Sequence, residues 1–129
     1  MIDACIKKEA KIILMTPTFP LRYEDDDLIV NPLGDYPRVI REIAIERGIF
    51  LVDCYLQMYN VFKGQSKEEN KEYVMWFSDG IYNNYPMGLS DGTHLRAKGG
   101  HLVAQIFINS LQKENHPLAK YLLKEEYNE

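Results

Sequence analysis

Two short unbroken apolar runs and two longer periodic ones organise the chain. "KIILM", Lys11 to Met15, and "IFLVD", Ile49 to Asp53, have the form of fully buried parallel strands. Between them "GDYPRVIREIAIERG" repeats with helical spacing, and Val39, Ile40, Ile43 and Ala44 share one face. Asp35 is placed to cap this helix with its carboxylate, Pro37 falls in the first turn, and Gly48 supplies a left-handed stop. Strand, helix and strand predict a right-handed βαβ unit. A last helix is predicted over 97–113, with Leu102, Val103, Ile106, Phe107 and Leu111 on its buried face. Gly99 and Gly100 lower its intrinsic propensity, which predicts close packing against a sheet.

The remaining chain is less regular. Residues 3–9 read as the end of a helix, with Ala4, Cys5 and Lys8 at helical spacing. Residues 55–62 read as a helix, and "GQSKEENKEY" as polar and partly helical. No periodicity runs from Thr18 to Gly34, so that segment is a long loop of the functional or mobile kind. "WFSDGIYNNYPMGLS" reads as an aromatic loop with turns at Asp79-Gly80, Asn83-Asn84 and Pro86. There is no internal repeat and no low-complexity segment.

Composition narrows the class. The chain has 129 residues, enough for one domain and too few for two. A net charge of −4 weighs against nucleic acid, where clustered Lys and Arg neutralise phosphates. No apolar run approaches the roughly 18 residues of a membrane span. The opening "MIDACIKKEAK" lacks the basic segment and apolar core of a signal peptide, which implies a cytoplasmic protein if Met1 is the native start. Cys5 and Cys54 read as buried, reduced thiols, which suits a reducing compartment.

Candidate chemistry centres on "LSDGTHLRAKGG". A hydrolytic histidine needs an acceptor on its second ring nitrogen to fix the tautomer and stabilise the imidazolium. Asp91, three positions before His94 and with Gly92 allowing a tight turn, can provide one. The pair lies ahead of a helix, in a loop expected at the end of the sheet, where open α/β sheets bind ligands. The competing reading is a plain Asp-Gly turn with Thr93 capping a helical turn from His94. His101 reads as solvated surface and His116 as an exposed tail residue. Metal could be held by "YEDDD", or by Asp91, His94 and His101 with a further ligand, although solvated carboxylates are the ordinary reading. Cys54 ends a strand, where a nucleophile can sit if exposed. Of the serines Ser66, Ser78, Ser90 and Ser110, none lies on a strand-to-helix elbow.

The block "DGTHLRAKGGHLVAQIF" resembles the last conserved block of the SGNH, or GDSL-like, hydrolases, where Asp-x-x-His supplies the acid and base of a Ser-His-Asp triad. "AKIILMTP" looks like the family strand that ends in Thr-Pro, and "GDYPRVIREIAIERGIFLVD" like its next helix and strand. "GQSKEENKEYVMWF" and "PLAKYL" are similar to the rhamnogalacturonan acetylesterase branch. The resemblance implies an α/β fold, a three-layer α/β/α flavodoxin-like arrangement around a five-stranded parallel sheet. It implies hydrolysis of an O-acetyl or similar ester on a carbohydrate, with Asp91 orienting His94 and no metal or organic cofactor. The family's Gly-Asp-Ser block, and the later blocks that supply its Gly and Asn, have no counterpart here. Residues 1–129 are therefore expected to form a single partial domain, the C-terminal half, with about two parallel strands and no significant esterase activity alone. The unpaired apolar edge of "KIILM" predicts self-association or pairing with a complementary N-terminal chain. Two other readings stand beside this one: a non-catalytic binding or interaction module derived from the fold, and an unrelated flavodoxin-like binding domain in which His94 points into the core. The aromatic residues Trp76, Phe77, Tyr82 and Tyr85 either stack on sugar rings or pack under their loop.

Overall fold

A computed structural model describes residues 1–122. In chain order the elements are α1 (Ile2–Lys7), β1 (Ile13–Met15), β2 (Tyr23–Glu24), β3 (Asp27–Leu28), α2 (Tyr36–Arg47), β4 (Phe50–Val52), α3 (Cys54–Phe62), α4 (Lys67–Lys71), β5 (Val74–Phe77), β6 (Leu89–Leu95), α5 (Ala97–Lys113) and a 3-10 turn (Pro117–Tyr121). β1 and β4 pair in parallel, with Leu14 opposite Leu51, and α2 connects them. Two antiparallel hairpins, β2/β3 and β5/β6, complete the strand pairing among the described residues. This is an α/β architecture. No described helix is long and apolar enough to cross a membrane.

Local chemistry explains the helix ends. α2 stops at Gly48, whose φ of 60° is left-handed and free of a Cβ penalty. α3 starts on Asp53, which accepts the Leu56 N–H at 3.3 Å. α4 carries a reciprocal capping box between Ser66 and Glu69. The core gathers Phe19, Leu21, Val52, Cys54, Met58, Phe62, Val74 and Ile106. α5 supplies Ile106 and packs on α3 and β4, while α2 packs on β1 and β4.

Several expectations need correction. β1 is half-buried rather than fully buried, with Met15 40% exposed, because one neighbouring strand covers only one of its edges. Asp35 stands at the start of α2, but its carboxylate binds Arg38 at 3.1 Å and caps no amide. Val39 is exposed, so the buried side of α2 is Pro37 and Ala44, flanked by half-buried Ile40 and Ile43. The segment 18–34 is not featureless: it contains the β2/β3 hairpin and sends Phe19 and Leu21 into the core. Trp76 and Phe77 belong to β5, not to a loop. Of the two helical glycines only Gly99 is packed closely, since an added Cβ would lie 2.1 Å from the Tyr73 carbonyl oxygen, whereas Gly100 has open space. His116 is half-buried: its ring lies 4.5 Å from that of Phe50, and its Nδ1 accepts the Leu118 N–H.

Candidate active site

The register of the β5/β6 hairpin creates the site. Ser90 pairs with Trp76 and Leu95 with Val74, so the four residues Asp91 to His94 stand opposite Met75 alone. The excess chain bulges out of the ladder. Asp91 and His94 were expected in a loop; they sit in this bulge within β6. Thr93 caps no helical turn at His94, because α5 begins at Ala97.

The bulge is held from within and from below. Oδ1 of Asp91 accepts the N–H of Thr93 at 2.7 Å and of His94 at 3.1 Å. Its Oδ2 lies 2.6 Å from His94 Nδ1. These contacts fix the carboxylate, the turn and the ring together. Beneath them the Leu21 N–H donates to the Gly92 carbonyl at 2.7 Å. A Cβ on Gly92 would lie 1.9 Å from the Leu21 carbonyl oxygen. Gly92 is thus required by backbone approach and not by a left-handed turn, since its φ is not positive. Arg22 reaches Thr93 Oγ1 at 3.4 Å from the same segment.

Charge follows geometry. The Thr93 amide first, then the His94 ring and the His94 amide, hold the Asp91 carboxyl down at about 2. It is therefore anionic near neutrality. The Asp91 side chain is 28% exposed and that of His94 79%, so the imidazole stands at the surface with Nε2 unbonded among the described residues. His94 does not point into the core, which removes the observation that would have favoured an unrelated flavodoxin-like domain.

The other candidates fall elsewhere. Cys54 is buried, and burial followed by the nearby Asp53 charge pushes its thiol up to about 11, which suits packing and not attack. Cys5 is half-buried, and both thiols are free. Ser66 caps α4, and Ser110 donates to the Ile106 carbonyl. No serine among the described residues bonds His94. His101 is exposed on α5. Among the described residues no group of three His, Cys, Asp or Glu side chains is placed to hold a metal. In "YEDDD", Asp25 and Asp26 form the β2/β3 turn with positive φ, and Asp26 pairs with Lys67. Phe77 packs on Tyr82 and Tyr85 at 4.7 and 5.7 Å, so these rings support their own loop. Trp76 instead lines a cavity of about 570 Å³ between α4 and the hairpin. That cavity includes neither Asp91 nor His94 but is walled by Ser90 and Arg96 on either side of them.

A second carboxylate has an unforeseen role. Asp53 accepts from two Arg41 nitrogens, Nε at 2.6 Å and Nη2 at 3.1 Å, and from the Thr16 hydroxyl at 3.0 Å. The same hydroxyl accepts the Tyr55 N–H at 2.9 Å. This knot ties the end of β4 to the exit of β1, and the chain then runs through Phe19 and Leu21 to the floor of the bulge. Sequence reasoning missed Leu21 and Arg22 because they lie about 70 residues from Gly92 and Thr93 in a stretch without periodicity.

The chain is similar in sequence to two curated proteins named as rhamnogalacturonan acetylesterases, which supports a relationship of that type. It is 27% identical over 127 residues to rhamnogalacturonan acetylesterase RhgT of Bacillus subtilis, covering 98% of this chain and 55% of that protein. It is 26% identical over 119 residues to a second protein of that organism, named "Probable rhamnogalacturonan acetylesterase YesY", covering 92% of this chain and 50% of that one. The chain thus spans about half the length of the curated relatives it matches. No family model matches the chain, and no solved structure matches it significantly.

Proposed function

We propose that this chain carries the acid–base half of a carbohydrate O-acetylesterase site, in the manner of the Ser-His-Asp hydrolases. The observation that carries this reading is the 2.6 Å contact of Asp91 Oδ2 with His94 Nδ1, which leaves Nε2 facing solvent. The carboxylate holds Nδ1 protonated, so Nε2 is the basic nitrogen. His94 Nε2 takes the proton of an attacking serine hydroxyl as the oxygen bonds to the ester carbonyl. It then returns that proton to the departing sugar alcohol. Water repeats the sequence to release acetate. Asp91 stays anionic throughout and stabilises the imidazolium.

The serine and the oxyanion donors come from residues outside this chain, as do the further strands of a three-layer sheet. The outer edge of β1, which pairs only with β4 among the described residues, is where such strands would add. The site needs no metal or organic cofactor, and the substrate is an acetylated carbohydrate. Acetyl-ester hydrolysis tests this. The chain alone is expected to hydrolyse p-nitrophenyl acetate no faster than His94→Ala. Mixing it with a segment carrying the Gly-Asp-Ser, Gly and Asn blocks should produce activity in wild type only. Equal activity of wild type and His94→Ala in that mixture would refute the assignment.

A further inference from the structure

We infer that Asp79–Gly80 is a self-modification site: its peptide link rearranges through a succinimide to isoaspartate and loosens the neck of the β5/β6 hairpin. The chain has two Asp-Gly pairs, Asp79–Gly80 and Asp91–Gly92. In both, the glycine leaves the aspartate carboxyl carbon unshielded by a following side chain. The fold sets the two pairs in opposite situations.

The chemistry needs nothing beyond water. The Gly80 nitrogen bonds to Cγ of Asp79, the carboxyl hydroxyl leaves with the amide proton as water, and a cyclic imide forms. Water then opens the ring. Attack at the side-chain carbonyl restores aspartate. Attack at the former main-chain carbonyl sends the main chain through Cβ and Cγ, which is isoaspartate. Nothing is oxidised or reduced, and the final composition is unchanged. The step requires a carboxyl free to swing onto the next nitrogen, and a nitrogen not locked in a strong hydrogen bond.

Asp79 meets both requirements. It is exposed, in a run from Ser78 to Met87 that is exposed throughout, and its carboxylate bonds nothing among the described residues. The Gly80 N–H donates to the Pro86 carbonyl at 3.4 Å, near the limit of such a bond. Space around Gly80 is open, with nothing within 4 Å of an added Cβ. Asp91 meets neither. Its Oδ1 accepts the Thr93 and His94 amides, and its Oδ2 lies against the His94 ring. Gly92 is buried against the Leu21 carbonyl. The carboxyl, held at about 2 chiefly by the Thr93 amide, offers little of the neutral acid that loses water.

The position of Asp79 gives the change its consequence. Phe77 pairs with Leu89 at the end of the hairpin. Gly88 crosses there so closely that a Cβ on it would lie 2.7 Å from the Phe77 carbonyl oxygen and 2.9 Å from the Asp79 nitrogen. Isoaspartate adds a main-chain carbon just past this contact. The connection then no longer closes at its original length, and the Phe77–Leu89 end of the ladder opens first.

The test holds the folded chain near neutral pH at physiological temperature for weeks, then maps it with a protease that cleaves before aspartate and not before isoaspartate. Isoaspartate should appear at Asp79 about tenfold faster than at Asp91 or more, while in urea the two sites should react at similar rates. Asp79→Glu should remove the modification. Amide hydrogen exchange at 76–78 and 88–90 should be faster in the aged wild type than in the fresh protein, and unchanged in aged Asp79→Glu. Equal rates at the two sites in the folded chain, no isoaspartate at Asp79, or an aged hairpin that exchanges like the fresh one would overturn the inference. None of these readouts uses ester hydrolysis, so their outcome is independent of the acid–base role of Asp91 and His94.

Discussion

Asp53 and Asp91 are both carboxylates held below their ordinary range, yet they occupy opposite situations. For Asp53 burial pushes the carboxyl up, and Arg41, the Leu56 amide and Thr16 together outweigh it. Every oxygen lone pair that matters is spent on structure: a guanidinium, a helix start and a strand exit. For Asp91 burial counts for little; backbone amides form one anchor and the other oxygen holds a ring that is itself free. A depressed carboxyl therefore identifies a well-bonded group and says nothing about chemistry. What separates them is the partner. Arg41 is consumed by its bond, whereas His94 keeps a second nitrogen facing solvent.

The strongest way to break this comparison is to neutralise each carboxylate in the mixed, active system. Asp91→Asn should lower the acetyl-ester rate by about 10⁴, because an amide no longer enforces the right tautomer. Asp53→Asn should change that rate only as far as it loosens the fold. Similar losses in both would show that Asp91 is structural too. Next in size is Gly92→Ala, which places a methyl 1.9 Å from the Leu21 carbonyl oxygen. Its cost should reach about 3 kcal/mol in urea unfolding, the upper end for overpacking. Asp53→Asn follows at about 1–2 kcal/mol, since the Arg41 pair is only partly shielded from water.

Acid titration sharpens the contrast further. The folded carboxyl of Asp91 sits at about 2 against an unfolded value of 3.8. As pH falls the unfolded chain binds the proton first, so the stability contributed by this bond is full above 3.8 and is lost on the way down to about 2. Asp53 acts in the same direction: its loss begins as pH falls through the ordinary carboxylate range and continues below it. The slope of stability against pH should therefore flatten in Asp91→Asn and in Asp53→Asn, and flatten most in the double variant. The smallest effect is a gain: Gly100→Ala meets nothing within 4 Å and should stabilise α5 by about 1 kcal/mol. Gly99→Ala, facing the Tyr73 carbonyl, should destabilise it.

The two regions also differ in how far the sequence revealed them. β1, α2, β4 and α5 announce themselves by apolar runs, periodicity and end signals, and the limits of α5 coincide with residues 97–113. The spacing of Asp91 and His94 correctly brought carboxylate and ring together. Their setting was hidden for physical reasons. A bulge arises from register between Val74–Phe77 and Leu89–Leu95, and a local pattern does not encode register across the 11-residue connection 78–88. The aromatic composition of 76–85 masked the strand alternation. Gly92 looked like a turn glycine, whereas its constraint is the Leu21 carbonyl, contributed by a distant segment.

The most direct measurement is the tautomer of His94, read from long-range proton–nitrogen NMR of the chain above the titration of its histidines. Free neutral imidazole favours the proton on Nε2; the Asp91 bond requires it on Nδ1. An Nδ1–H signature that reverts to Nε2–H in Asp91→Asn is the predicted result. An Nε2–H His94 in the wild-type protein would mean that the basic nitrogen faces Asp91 and not the solvent, and the acid–base assignment would fall.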